Sequence, residues 1–194
     1  MVDDSSRYIS MEFLEFLKKK SDAMQKVKNY FTQLISHNQK PNAIHIDCGK
    51  EFLNINLTSW CNERGIDTQM TAPYSPSQNG VAERMNRTLV ELAKAMMRNL
   101  PSFLWKYAVA HSSYLHNRTY TKSLPNTTPY EKWFQKKPNI SHLREFGAPV
   151  WVLLQNQKPK KMETKSRRRI FVGYDDRSKS IKYYNAETRK ILTS

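Results

Sequence analysis

Residues 43–47, AIHID, form a short apolar run that ends on a carboxylate. Before this run, residues 21–37 place apolar side chains on one stripe at helical spacing. After it come a second helical segment near 57–64, stopped by Gly65, and a second strand candidate at 68–71. Because helices alternate with short apolar strands, the sequence predicts an α/β layer structure with a largely parallel core.

The chain changes character further on. Helical spacing predicts one long helix from Val81 to Leu100 and two shorter helices at 102–119 and 129–134. After Pro138, short strand candidates separated by turn residues predict a small antiparallel β module. The remaining predicted strands are residues 8–17, 148–154, 168–174, 180–185 and 188–194. The regions expected from this pattern are 1–100, 101–140 and 141–194.

The composition indicates a folded protein, since 39% of the 194 residues are hydrophobic and 11% are aromatic. No apolar run of about 18 residues occurs and the amino-terminal segment carries several charges, so neither a membrane span nor a signal peptide is expected. Cys48 and Cys61 form neither a close pair nor, with the five histidines, a zinc-binding pattern. Two buried thiols in a reducing compartment are the expectation.

The positive charge is concentrated in the second half of the chain. Residues 1–97 hold 12 basic and 11 acidic residues, a balance of 12 − 11 = +1, whereas residues 98–194 hold 20 and 6, a balance of 20 − 6 = +14. Such a surface binds nucleic acid with strong salt dependence and little sequence preference, because each phosphate contact releases counterions. A solvated basic face without a partner is the alternative.

Residues 74–87, YSPSQNGVAERMNR, join a segment of turn-forming residues to the long helix. The first part predicts a surface loop, which could close on a substrate and deliver Glu83. On a helical wheel, Glu83 lies away from the apolar stripe and within about 60° of three basic residues, Arg87, Lys94 and Arg98. Glu83 therefore does not belong to the core face of this helix.

Asp47 and Glu83 are two carboxylates with 83 − 47 − 1 = 35 residues between them. Asp47 follows a core strand, and strand ends are where open α/β sheets place their sites. Together the two carboxylates could hold divalent cations about 4 Å apart, which activate a nucleophile and stabilise the leaving oxygen in phosphodiester transfer. Two structural alternatives stay open: Asp47 caps a turn, and Glu83 stabilises the helix N-terminus or pairs with Arg87.

Several blocks of the sequence resemble, in order, the integrase region of copia-type LTR retrotransposons, a family with a ribonuclease H-like core. The segment VDDSSRY resembles the family's early strand and turn. IDCGKEF resembles its second-aspartate strand, and APYSPSQNGVAERMNRTL resembles its glutamate motif. Its helical extension resembles LPSFLWKYAVAHSSYLHNR and TPYEKWFQKKPNISHLREFG, and its SH3-like domain resembles KSRRRIFVGYDDRSKSIKYY. These blocks cover nearly all of the chain.

The resemblance implies an α/β, ribonuclease H-like integrase core without its first strand, a helical extension and a small basic SH3-like β domain. It makes Asp47 and Glu83 two of the three catalytic, metal-binding carboxylates of a DNA strand transferase that uses Mg²⁺ or Mn²⁺. The residues it places against DNA are Gln78, Asn79, Arg87, Lys94, Arg167, Arg168 and Arg169. For Gln78 and Asn79, simple turn chemistry is the alternative.

DNA and further copies of the chain are the partners that this resemblance implies, with no membrane. The nucleus is the expected location, with the cytoplasm as the alternative. The basic segments KPKK and KSRRR are interpreted as phosphate contacts, and nuclear import signals are the alternative.

The sequence also departs from the family pattern. The family's first aspartate lies upstream of VDDSSRY, while Asp3 and Asp4 match another position, and the amino-terminal zinc-binding module has no counterpart. Cys48 and Lys50 stand where the family commonly has Asn and Gly. The leading hypothesis is therefore an amino-terminally truncated integrase fragment that is inactive by itself. A non-catalytic nucleic-acid-binding module and a decayed open reading frame product without a retained role are the alternatives.

Overall fold

A computed structural model describes residues 1–10, 22–37, 39–46, 55–70, 76–153, 165–175 and 180–194. The chain divides into two compact units. Met1–Asp4 and Ser10–Arg87 form the first unit, and Ser5–Ile9 and Thr88–Ser194 form the second. Within the described ranges, no helix is long and apolar enough to cross a membrane.

Two helices and a pair of parallel strands build most of the first unit. These elements are α1 (Asp22–Ser36), β1 (Ala43–Ile46), α2 (Ile55–Asn62) and β2 (Asp67–Met70). The strands pair in parallel, with Ala43 opposite Asp67 and Ile46 opposite Met70. The predicted alternation and the parallel pairing are confirmed here, with element bounds shifted by one or two residues.

Side chains of α1, β1 and α2 share one buried cluster in the first unit. Its buried members are Val27, Phe31, Ile46, Leu57, Cys61 and Ile66. Cys61 is buried as predicted, and burial raises the pKa of its thiol; Cys48 lies outside the described residues. Gly65 ends the turn after α2 with φ of +59°, a conformation that glycine adopts without steric cost. This packing fixes Ile46, the residue that Asp47 follows.

The long helix begins earlier than predicted. α3 spans Pro76–Met96, so the loop predicted over 76–80 is wrong and these residues form the first turns of the helix. A proline fits at a helix start because the first amides have no intrahelical acceptor. The polar residues after it carry no apolar periodicity, which is why the sequence pattern starts only at Val81. At the other end α3 stops four residues before Leu100.

Three helical segments follow in the second unit. They are a 3-10 helix (Ser102–Leu104), α4 (Trp105–His116) and α5 (Pro129–Phe134). Leu104 is fully buried, whereas Phe103 is 51% exposed and packs edge-on against Tyr184 at 5.1 Å between ring centroids. Thr128 caps α5 by accepting a hydrogen bond from the Glu131 N–H at 3.1 Å.

A four-stranded antiparallel sheet in the order β3-β4-β5-β6 ends the chain. Its strands are β3 (Pro149–Leu153), β4 (Ser166–Tyr174), β5 (Ile181–Asn185) and β6 (Lys190–Thr193). Its buried face holds Val150, Val152, Phe171 and Tyr183. The predicted β module is confirmed. β4 begins at Ser166, two residues before the start of the predicted strand 168–174, so Arg167 also lies on the strand.

The strand predicted at 8–17 falls mainly outside the described residues. Within 8–10, Ile9 forms a single-residue β-bridge and belongs to the second unit. The division into regions 1–100, 101–140 and 141–194 stays a prediction.

Candidate carboxylate site and nucleic-acid interface

Glu83 is the eighth residue of α3, counting from Pro76 (83 − 76 + 1 = 8). Its side chain is exposed, and it makes no hydrogen bond or ion pair within the described residues. The helix dipole stabilises anions in the first turn of a helix, and Glu83 lies beyond that turn. Glu83 also forms no ion pair with Arg87. The two structural explanations for this carboxylate, both of which concern described residues, are therefore wrong.

Asp47 lies outside the described residues, directly after the last residue of β1. Because β1 and β2 run parallel, this position is at the carboxyl end of the strand pair, where α/β sheets place their sites. The distance between the Asp47 and Glu83 carboxylates stays a prediction. The side-chain chemistry of the pair fits Mg²⁺, which takes a few carboxylate oxygens and completes its shell with water and substrate oxygens.

No three His, Cys, Asp or Glu side chains in the described ranges lie close enough together to hold a metal ion.

The four predicted DNA contacts of the glutamate motif all lie on α3. Gln78 and Asn79 belong to its first turns, which corrects their predicted position in a loop. Their side chains fall outside the described part, so their contact with DNA stays a prediction. Arg87 and Lys94 are exposed, and neither makes an ion pair with any described residue.

Two of the three predicted arginines of the small sheet share one carboxylate. Arg167 Nη1 donates to Glu187 Oε2 at 2.8 Å, and Arg169 Nη2 donates to the same oxygen at 3.2 Å. The hydrogen bond from Arg169 is the main cause of the lowered pKa of Glu187. The carboxylate therefore offsets part of the charge of this arginine pair.

Arg168 lies on the opposite face of the sheet, directly across from Trp151 on β3. Its guanidinium has no hydrogen-bond or ion-pair partner within the described residues. The sequence pattern does not distinguish the three arginines from one another, and it does not single out Trp151. The signal that could have identified Trp151 is the alternation in residues 148–154, which places its side chain on the face of β3 away from the buried Val150 and Val152.

Two protein-family models match the chain, one at its amino-terminal part and one at the small antiparallel sheet. Residues 1–76 match the integrase core domain, and residues 148–194 match the retroviral polymerase SH3-like domain. The retrovirus-related Pol polyprotein from transposon TNT 1-94 of Nicotiana tabacum is 31% identical over 197 residues, covering 100% of this chain and 14% of the relative. The retrovirus-related Pol polyprotein from transposon RE1 of Arabidopsis thaliana is 29% identical over 196 residues, which cover 100% of this chain and 13% of that relative.

The chain therefore belongs to the integrase region of the retrovirus-related Pol polyproteins, and it spans a small part of the relatives' length. The predicted α/β class, with a ribonuclease H-like integrase core and a small SH3-like β domain, is confirmed by the two domain matches. Asp47 lies inside the integrase core match, and Glu83 lies between the two matches.

Solved structures that are similar to the chain include integrase cores. The HTLV-2 integrase catalytic core domain in complex with magnesium is 23% identical, with a TM-score of 0.48 over 67% of this chain and 79% of that chain. The catalytic core domain of BIV integrase is 22% identical, with a TM-score of 0.46 over 62% of this chain and 76% of that chain. The fold assignment rests on the two domain matches.

Proposed function

We propose that the chain serves in DNA integration as part of a metal-dependent DNA strand transferase. The observation that carries the proposal is the order of the two domain matches, an integrase core followed by a retroviral SH3-like domain. Between them, α3 presents Glu83 as an exposed carboxylate without a partner in the described residues. The proposed substrate is DNA.

In this function Asp47 and Glu83 hold Mg²⁺ or Mn²⁺. When bound, the ions supply an activated nucleophile and stabilise the leaving oxygen. Arg87 and Lys94 bind backbone phosphates, and residues 78–79 contact the DNA end. The 194 residues hold two of the three carboxylates that the family resemblance assigns to the triad. We therefore propose that these residues alone do not catalyse strand transfer.

A strand-transfer assay tests this proposal directly. The purified 194-residue chain, supplied with Mg²⁺ or Mn²⁺ and an oligonucleotide duplex, is expected to form no joined product. Metal-dependent product that Asp47→Asn and Glu83→Gln abolish would contradict the proposed inactivity while supporting the roles of both carboxylates.

Metal binding tests the two carboxylates without any need for catalysis. Titration with Mn²⁺, followed by its electron paramagnetic resonance signal, is expected to show weak binding that Asp47→Asn and Glu83→Gln each reduce. Glu91→Gln, at another exposed position of α3, is the matched control and should leave the binding unchanged. Equal Mn²⁺ binding by wild type and Glu83→Gln would show that Glu83 is not a ligand.

A non-catalytic nucleic-acid-binding module is the second candidate. It is favoured by the balance of 20 − 6 = +14 in residues 98–194 and by Arg168, whose guanidinium has no partner among the described residues. In this case the Asp47→Asn, Glu83→Gln double variant should bind duplex DNA as tightly as wild type in the absence of metal. A large loss of duplex binding in that variant would count against it.

The proposal also includes assembly with further copies of the chain and location in the nucleus. Sedimentation velocity with and without duplex DNA tests assembly, and imaging of the tagged full chain tests location. A monomer at all concentrations with DNA, or a tagged chain excluded from the nucleus, would contradict the respective part.

A further inference from the structure

We propose that Trp151 and Arg168 form a binding site for an unpaired nucleobase and its neighbouring phosphate. The inference rests on the proposed nucleic-acid function and adds a ligand class for one face of the small sheet. Trp151 on β3 and Arg168 on β4 are direct partners in the antiparallel register. Directly opposed residues of antiparallel strands project from the same face and lie close enough to act together.

On β3, this face of the sheet presents exposed apolar side chains. Trp151 is 68% exposed and Leu153 is 71% exposed, whereas the alternate residues Val150 and Val152 are buried. An exposed indole ring offers a flat apolar surface on which another ring can stack. A ligand that fits this arrangement covers the indole ring of Trp151 and contacts the guanidinium of Arg168.

The charges on the two faces indicate which ligand this is. Arg167 and Arg169 are engaged by Glu187, while Arg168 is without a partner in the described residues. A guanidinium binds phosphate, and an indole ring stacks on the flat face of a base. A duplex hides its base faces within the stack, so the pair selects unpaired bases.

A cleft of about 340 Å³ lies beside Arg168. Its lining also includes Pro149, Arg169, Ile170 and Tyr184. Ile170 follows Arg168 by two residues on β4 and pairs with Tyr184 on β5, so these side chains share one face. When one base stacks on Trp151, the neighbouring base or phosphate can enter this cleft beside the Arg168 guanidinium.

The test compares single-stranded and duplex DNA of one length and salt concentration, using the full 194-residue chain. Fluorescence anisotropy with a labelled oligo-dT strand is expected to show binding that Trp151→Ala weakens by about 5- to 100-fold, the range that loss of one stacked base gives. Duplex binding should change by less than about twofold, because duplex contacts go to phosphates. Trp151→Phe should retain most of the binding, because it keeps an aromatic ring.

Two further variants separate stacking from general exposure and charge. Leu192→Ala removes an exposed apolar side chain of β6 that does not share the face of Trp151, and it should leave the affinity for oligo-dT unchanged. Arg168→Ala should weaken oligo-dT binding more than Arg167→Ala, whose guanidinium is already engaged by Glu187. Circular dichroism of each variant checks that the fold is intact.

Unchanged oligo-dT binding by Trp151→Ala, or equal weakening for the single strand and the duplex, would overturn the site. A change in oligomeric state without a change in oligo-dT binding would assign this face to a protein partner and also overturn it. Wild-type chain that binds duplex but not oligo-dT would exclude this site and leave the proposed integrase function standing. Failure to bind either DNA would contradict both.

Discussion

At the scale of single residues, the buried polar side chains of Asn117 and His111 affect the stability of the second unit in different ways. Asn117 is fully buried, and its side chain makes reciprocal hydrogen bonds with the backbone of Ile9, each 2.8 Å long. This amide satisfies one donor and one acceptor of a segment 108 positions away in sequence. An amide side chain can do this because it carries both a donor and an acceptor.

We expect Asn117→Ala to lower the free energy of unfolding by about 2 to 4 kcal/mol, because the Ile9 N–H and carbonyl lose their partners while buried. Urea denaturation followed by circular dichroism measures the change. Asn86→Ala, at an exposed position of α3, is the control and should shift the midpoint little. A loss below about 0.5 kcal/mol at Asn117 would show that water replaces the amide.

His111 is the second buried polar residue, 2% exposed among the rings of Phe146, Phe171 and Tyr174. Among the described residues, neither ring nitrogen has a hydrogen-bond partner of good geometry. Burial lowers the pKa of His111 to about 4, and the backbone of Arg144 offsets this only in part. The folded state therefore holds this imidazole neutral.

Stability should fall as the pH drops from 7 to 5, because the unfolded chain then binds a proton at His111 that the folded chain does not. With a pKa of about 4 folded and 6.5 unfolded, this site alone removes about 2 kcal/mol over that range. Urea denaturation at both pH values tests the expectation. His111→Leu should flatten the dependence, whereas His37→Gln, at an exposed position, should not. An equally steep loss in His111→Leu would assign it to other groups.

At the scale of elements, the start of α3 decides how Glu83 is presented. Gly80 lies inside the helix, and a Cβ added there would meet only the flexible end of Arg84, at 3.5 Å. Gly65 has φ of +59°, and an added Cβ would lie 3.0 Å from Lys40 Nζ. The two glycines therefore form a matched pair, one in helical conformation and one in a left-handed turn.

Gly80→Ala should stabilise the chain by up to about 1 kcal/mol, since alanine loses less backbone entropy than glycine in a helix. Gly65→Ala should destabilise it by about 1 to 2 kcal/mol, since a Cβ is strained in the left-handed region. Thermal unfolding of both variants gives the two signs. Destabilisation by Gly80→Ala would favour the loop that the sequence pattern predicted at this position.

At the scale of the whole molecule, the net charge of +15 governs encounters with polyanions, and residues 98–194 carry nearly all of it. The acidic groups that could offset it locally are few there, and Glu187 is already shared by two arginines. Long-range attraction of this kind brings nucleic acid to the surface without selecting a sequence.

Affinity for duplex DNA should therefore fall by about 10³- to 10⁵-fold between 50 and 200 mM salt, as for a protein that contacts about 6 to 10 phosphates. Titrations at several salt concentrations give the slope of log K against log salt. Removing one phosphate contact, for example with Lys94→Ala, should reduce the slope by about one. An affinity that is constant over this range would contradict an electrostatic interface.

The sequence by itself determined the α/β alternation, the small antiparallel sheet, the charge asymmetry and the order of the motifs. Each of these follows from local periodicity or composition, such as the apolar run at 43–46 or the alternation at 149–153. The position of Asp47 directly after β1 was predicted in the same way, although its geometry lies outside the described residues.

Only the tertiary structure decided which faces and partners the residues have. Arg168 differs from Arg167 and Arg169 because the register with β3 puts it beside Trp151, and register depends on contacts between strands. His111 is buried and Asn117 reaches Ile9 because segments far apart in sequence pack together. Such contacts leave no periodic trace in the sequence, since they depend on which residues folding brings together.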